Sequence, residues 1–131
     1  MASTTFSGPV TSTNGFIGAV TGNITGNVTG NVTGDIFASN QALSGAGAVN
    51  ITDMLTSLTT TGAAQALTLA DGTVGQIKII SHVVDGGSAV LTPTTKIGFT
   101  TITFTGVGES AMLVYTATGW AIVALNGAVA A

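Results

Sequence analysis

A four-residue beat governs the early part of the chain: Val20-Thr21-Gly22-Asn23, Ile24-Thr25-Gly26-Asn27, Val28-Thr29-Gly30-Asn31 and Val32-Thr33-Gly34-Asp35, ending on Ile36. With so strict a period, whatever conformation one tetrad takes the next repeats, and such sequences build stacked or fibrous surfaces. A helix would gather residues four apart on one face. It would also hold Gly22, Gly26, Gly30 and Gly34 in its interior at about 1 kcal/mol each relative to alanine, among β-branched neighbours. Extended chain fits better, with aliphatics alternating with glycine on one face and Thr with Asn or Asp on the other.

Residues 16–36 would reach about 70 Å at ~3.3 Å each, far beyond an ordinary strand. A lone ribbon of that length leaves its backbone unpaired. The expectation is therefore an extended Gly-rich β-repeat that either winds with copies of itself, triple-stranded, or breaks into short coils at each glycine. The Val-x-Gly spacing resembles the repeats of triple-stranded β-helices in phage needles and tail fibres, over residues 16–36 only and with a period of four where the needle motif has eight. A flexible linker is the plain alternative, although a linker needs no regular aliphatic spacing.

Composition sharpens the expectation of assembly. Only 5% of the residues are charged, against roughly 25% in ordinary soluble domains, while 45% are hydrophobic. Such a chain collapses rather than staying disordered. Its surface must then be covered by partners or by Thr, Ser and Asn, which points to an obligate assembly. At 131 residues the chain reads as one domain plus an appendage.

Several classes of function are disfavoured. Lys78 and Lys96 are the only cations and the net charge is −3, so no basic patch awaits phosphates and no nucleic acid is expected. Gly, Thr, Asn or Ser interrupts every apolar run before the ~20 residues of a membrane span, so no membrane partner is expected. Met1-Ala2-Ser3-Thr4-Thr5-Phe6 has neither a basic start nor an apolar core, and no secretion signal is read there. The sequons at Asn23, Asn27, Asn31 and Asn50 are then by-products of the repeat. Zero cysteines exclude disulfides and thiolate metal sites.

The chain divides into an N-terminal anchoring arm (1–15), the repeat (16–36), a connector (37–62) and a C-terminal β-domain (63–131). In the arm, Phe6 precedes a Gly8-Pro9 turn, and Asn14-Gly15 marks another. The connector holds a short strand at 48–52 and a helical turn capped by Thr52 or Asp53. Beyond it, strands are expected at 66–69, 76–84, 88–92, 97–104, 111–116 and 120–125, with Asp71-Gly72 and Asp85-Gly86-Gly87 as hairpin turns. Six short strands at this spacing indicate an all-β sandwich, jelly roll or small barrel. Ile102, Phe104, Leu113, Tyr115, Trp120 and Ile122 are the core by alternation. Lys78 and Lys96 read as strand gatekeepers against wrong pairing.

Residues capable of chemistry are few. His82 is a lone histidine in an apolar strand, which is more often structural than catalytic. Gly87-Ser88-Ala89 lacks the second glycine of a nucleophile turn. Gly45-Ala46-Gly47 suggests a dinucleotide loop, but Asn50 stands where the third glycine belongs. Asp35, Asp53, Asp71, Asp85 and Glu109 lie far apart, without the dense spacing of calcium loops. No catalytic residue, cofactor or metal is expected, and Trp120 reads as core rather than as a sugar platform.

The opening Thr4-Thr5-Phe6-Ser7-Gly8-Pro9-Val10 through Phe16-Ile17-Gly18, and the ending from Gly75-Gln76-Ile77-Lys78-Ile79-Ile80 to Gly119-Trp120-Ala121-Ile122, look like small virion proteins of tailed phages. That resemblance implies a non-enzymatic homotrimer on the capsid exterior, a decoration (cement) protein or head fibre, with the major capsid protein as partner. Phe6, Val10, Phe16, Val20, Ile24, Val28, Val32 and Ile36 are assigned to subunit or capsid contacts. A receptor-binding tail or head fibre that holds host glycans is the alternative. An enzyme degrading surface polysaccharide through Asp71, Asp85 or Glu109 is the third reading.

Overall fold

Ten strands divide equally between two sheets in the computed structural model, which describes Ser7 and residues 31–131. They are β1 (Asn40–Ser44), β2 (Gly47–Val49), β3 (Leu55–Thr59), β4 (Gln65–Leu69), β5 (Ile77–Val84), β6 (Ala89–Pro93), β7 (Ile102–Phe104), β8 (Ser110–Thr116), β9 (Gly119–Asn126) and β10 (Val129–Ala130). The chain falls into two units, Met1–Gly34 and Asp35–Ala131. Of the first, the described residues Ser7 and 31–34 are exposed and lie outside any strand.

Sheet A runs β1-β3-β5-β8-β9 and sheet B runs β10-β7-β6-β4-β2. The first six strands change sheet at every step, so β1, β3 and β5 pair in parallel in sheet A, and β2, β4 and β6 do so in sheet B. The result is three stacked coils, each laying one strand on each sheet, the geometry of a short solenoid. Antiparallel strands finish it: β7 returns beside β6, β8 and β9 extend sheet A, and β10 pairs with β7.

Alternation explains which residues meet. Leu58, Ile80, Leu113 and Trp120 point inward from sheet A, and Val49, Leu67, Leu69, Leu91, Ile102 and Phe104 from sheet B, forming one core. Each full burial of such a side chain stabilises by roughly 1.5–3 kcal/mol. Of the six expected core residues, Ile102, Phe104, Leu113 and Trp120 are fully buried, and Tyr115 and Ile122 pack partly buried against them.

The protein is all-β, and no helix occurs among the described residues. Five of the six expected strands form within a residue or so of their expected bounds, whereas the run 97–104 narrows to β7. The hairpins at Asp71-Gly72 and Asp85-Gly86-Gly87 do not form, because both turns carry the chain across to the other sheet. The Asp71 carboxylate accepts from the backbone N–H and hydroxyl of Thr95, each at 3.0 Å. Gly87, at φ +137°, lies so close to the preceding coil that a Cβ would stand 2.5 Å from the carbonyl carbon of Gly62. Stacked crossings need that close approach, and glycine permits it.

The connector 37–62 contains β1, β2 and β3, which supply edge strands and core to both sheets. Its expected helical turn is a bend. Asn50 Oδ1 accepts from the Asp53 N–H at 3.0 Å, as an N-cap would, while Asn50 Nδ2 donates to Asp53 Oδ2 at 2.8 Å and the Asn50 N–H donates to Gln41 Oε1. The following residues are taken instead by parallel pairing of Leu55–Thr59 with β5.

The lysines also differ from expectation. Lys78 points into the sandwich and is fully buried, its Nζ donating to the Asp53 carbonyl at 2.7 Å. Lys96 sits outside the strands, in an isolated bridge with Trp120, and donates to the Pro93 carbonyl at 3.0 Å. Neither guards a sheet face. The extended β-repeat and the arm lie outside the described residues except at Ser7 and 31–36.

Candidate assembly surface

The two sheets present different outer faces. On sheet A the pairing register aligns Leu55, Ile79, Met112 and Ala124 in one cross-strand row that ends on Asn40 of the edge strand, and Ile77, Val114 and Ala121 in a second. A third row holds Ala42, Ser57, Ser81, Ser110 and Asn126. The aliphatics of β3, β5 and β8 on this side are half-buried, and Val83 and Val123, each at a register shift, are exposed. None of these positions carries an ionisable side chain.

Sheet B offers Ala48, Thr68 and Thr92 in one row and Ala66, Val90, Thr103 and Val129 in the next. Threonine hydroxyls break its apolar surface, so water covers it more readily. The strand β5 explains the contrast. In Ile77-Lys78-Ile79-Ile80-Ser81-His82, apolar residues occupy both alternating sets, and Lys78 and His82, the side chains that could have made one face polar, point inward. Strands covered on both faces read this way.

Ahead of β1 stands a second apolar feature. Ile36 is 73% exposed and Phe37 is 89% exposed, three residues before the edge strand of sheet A. Val32 is 56% exposed. Of the residues assigned to assembly contacts, Val32 and Ile36 are thus open to solvent in the single chain, and Phe6, Val10, Phe16, Val20, Ile24 and Val28 lie outside the described residues. Sequence reasoning did not reach the outer face of sheet A or Phe37. The signal for the face was present in the doubly apolar pattern of β5.

The buried polar groups serve the coil ends. Burial pushes the Lys78 ammonium down from 10.5 to about 8, with the Asp53 charge opposing the shift. Gln76 donates from Nε2 to the Ile51 carbonyl, so this residue and Lys78 together hold the crossing between β2 and β3. At the opposite end, His82 Nε2 lies 3.0 Å from Thr60 Oγ1, which also accepts from the Gly86 N–H at 2.8 Å. His82 Nδ1 meets no hydrogen-bond partner among the described residues. Gln41 closes the first coil: its Nε2 donates to the Ala48 carbonyl and its Oε1 accepts from the Asn50 N–H, both at 2.9 Å. That amide occupies the place of a further strand's peptide group beside β2.

The acids are engaged separately. Asp85 accepts from the Gly87 N–H at 2.8 Å, and Glu109 accepts from the Thr105 N–H and hydroxyl, contacts that hold its carboxyl below the usual range. Ser88 Oγ accepts from the Ala64 N–H at 2.9 Å. Among the described residues no three His, Asp or Glu side chains gather around a common point, and no pocket opens. Trp120 is fully buried. Neither a scan against protein-family models nor a search of curated proteins finds a match for this chain.

Proposed function

We propose that the protein is a non-enzymatic structural component of a virion: a trimeric decoration (cement) protein that sits on the capsid exterior and bridges neighbouring capsid subunits. The observation that carries this reading is the outer face of sheet A, two rows of aliphatics without a charge, on a chain that has few charges to spare. An uncharged sheet face of this kind gains most by being covered, at roughly 25 cal/mol per Å² of apolar surface before the costs of association. The resemblance of its opening and closing motifs to small tailed-phage virion proteins suggests the setting.

The work is mechanical. Each trimer bridging adjacent subunits adds buried area that opposes the outward pressure of packed DNA. The repeat at 20–36 and the arm residues Phe6, Val10 and Phe16 are the contacts to sister copies or to the shell.

Cryo-electron microscopy of virions containing this chain tests the reading. Copies distributed across the capsid lattice at local three-fold positions are expected. A few copies at the tail would instead favour a receptor-binding fibre, and absence from the particle would overturn both.

A further inference from the structure

We propose that Ile36 and Phe37 of one copy dock on the outer face of sheet A of the next copy, a head-to-tail contact that closes into a ring. This deepens the assembly reading above and rests on it. Both halves of the contact lie on this chain. Phe37 is almost wholly exposed and Ile36 nearly so, which leaves two large apolar side chains with little to cover them within their own chain. The face formed by the Leu55–Ile79–Met112–Ala124 and Ile77–Val114–Ala121 rows is partly exposed and carries no charge.

Charge selects the partner. A surface bearing Lys, Arg, Asp or Glu would strand those groups against the aliphatic rows, whereas Ile36 and Phe37 bring none. Area selects the mode. Five strands about 4.8 Å apart, over some six residues of length, give the face a footprint of about 400 Å², near half of the ~800 Å² that each partner of a stable complex hides. Two such faces laid flat on each other therefore fall short. In a ring each copy uses its face at one contact and its inserted pair at another, so it hides more area than a single face-to-face pairing allows, a phenylalanine alone bringing about 150–250 Å².

The finger and the face are different surfaces, so the contact is heterologous. Such contacts form rings when the rotation closes and filaments when it does not. With Asn40 starting β1, the link from Phe37 spans about 10 Å. That is long enough to leave the edge of its own sheet and reach a neighbour.

The chain has no cysteine, which makes disulfide trapping clean. Full-length Phe37→Cys is co-expressed with Met112→Cys, or with Ile79→Cys, oxidised and run on a non-reducing gel; Thr68→Cys on sheet B is the control. The expected result is a two-chain product with Met112→Cys or Ile79→Cys and none with Thr68→Cys, and loss of the oligomer in Phe37→Asp with Trp120 emission unchanged. Failure to link to either face position, or equal linking to Thr68→Cys, while light scattering still gives an oligomer, overturns this contact and leaves the assembly reading standing. A monomeric native chain overturns both.

Discussion

Trp120 on β9 donates its indole N–H to the carbonyl of Ala70 at 2.9 Å, tying the antiparallel end of sheet A to the crossing that leaves β4 of sheet B. Tyr115 meets the same indole edge-on, with ring centroids 5.1 Å apart. The one tryptophan thus marks the place where the coils and the strands that close them are locked together.

Replacing Trp120 by Phe keeps an aromatic in the core but leaves the Ala70 carbonyl unpaired. Ala70 is an exposed residue, so a loss of about 0.5–1.5 kcal/mol is expected from that hydrogen bond, with a further cost for the missing ring volume. Urea unfolding followed by far-ultraviolet circular dichroism measures it, and an unchanged midpoint would show that the hydrogen bond does not tie the two sheets.

Gly87→Ala and Gly75→Ala separate crowding from backbone conformation. Both glycines have positive φ, +137° and +89°, but a Cβ at Gly87 meets the Gly62 backbone whereas one at Gly75 meets nothing within 4 Å. Gly75→Ala is expected to cost about 1 kcal/mol, the usual scale for a side chain forced to positive φ. Gly87→Ala should cost several times more and disrupt the crossing itself. Equal losses in thermal unfolding would contradict the stacked-coil account.

Lys78 gives the fold a pH signature. Its folded value of about 8 lies below the ordinary 10.5, so between those values the unfolded chain binds more protons and stability rises with pH. Below about pH 8 the burial cost is present in full. Melting temperatures measured from pH 7 to 11 should therefore climb in the native protein relative to Lys78→Met, with the gain confined to that window. Parallel curves would mean that Lys78 is not a buried, charge-penalised amine.

The strands of the C-terminal part were legible because alternation of large aliphatics survives in the sequence, as in Ser110–Thr116, and because glycine marks where they stop. Their partners were not. Asp-Gly turns serve a hairpin and a sheet crossing equally well, since both need tight turns and side-chain acceptors; only the alternation of successive strands between sheets decides. The connector was missed for a related reason: Gln41 and Thr56 look polar in sequence, yet the Gln41 side chain accepts from the Thr56 hydroxyl and the Asn50 N–H and donates to the Ala48 carbonyl, closing the first coil. Of the assembly surface, the aliphatic stripe was visible as a period, whereas the face of sheet A emerges only once register sets Leu55 beside Ile79 and Met112.

Native mass spectrometry of the full chain beside Ile79→Lys tests the central claim most directly, because Ile79 lies in the middle of the uncharged face and its side chain points away from the core. The native protein should give three times the 12.8 kDa chain mass, and should hold it in 1 M salt, where exposed charge pairs are screened but apolar contacts are not. Ile79→Lys should give single chains with the Trp120 emission of the folded state. A native protein that runs as one chain at micromolar concentration, or an Ile79→Lys variant that still assembles, would contradict the account.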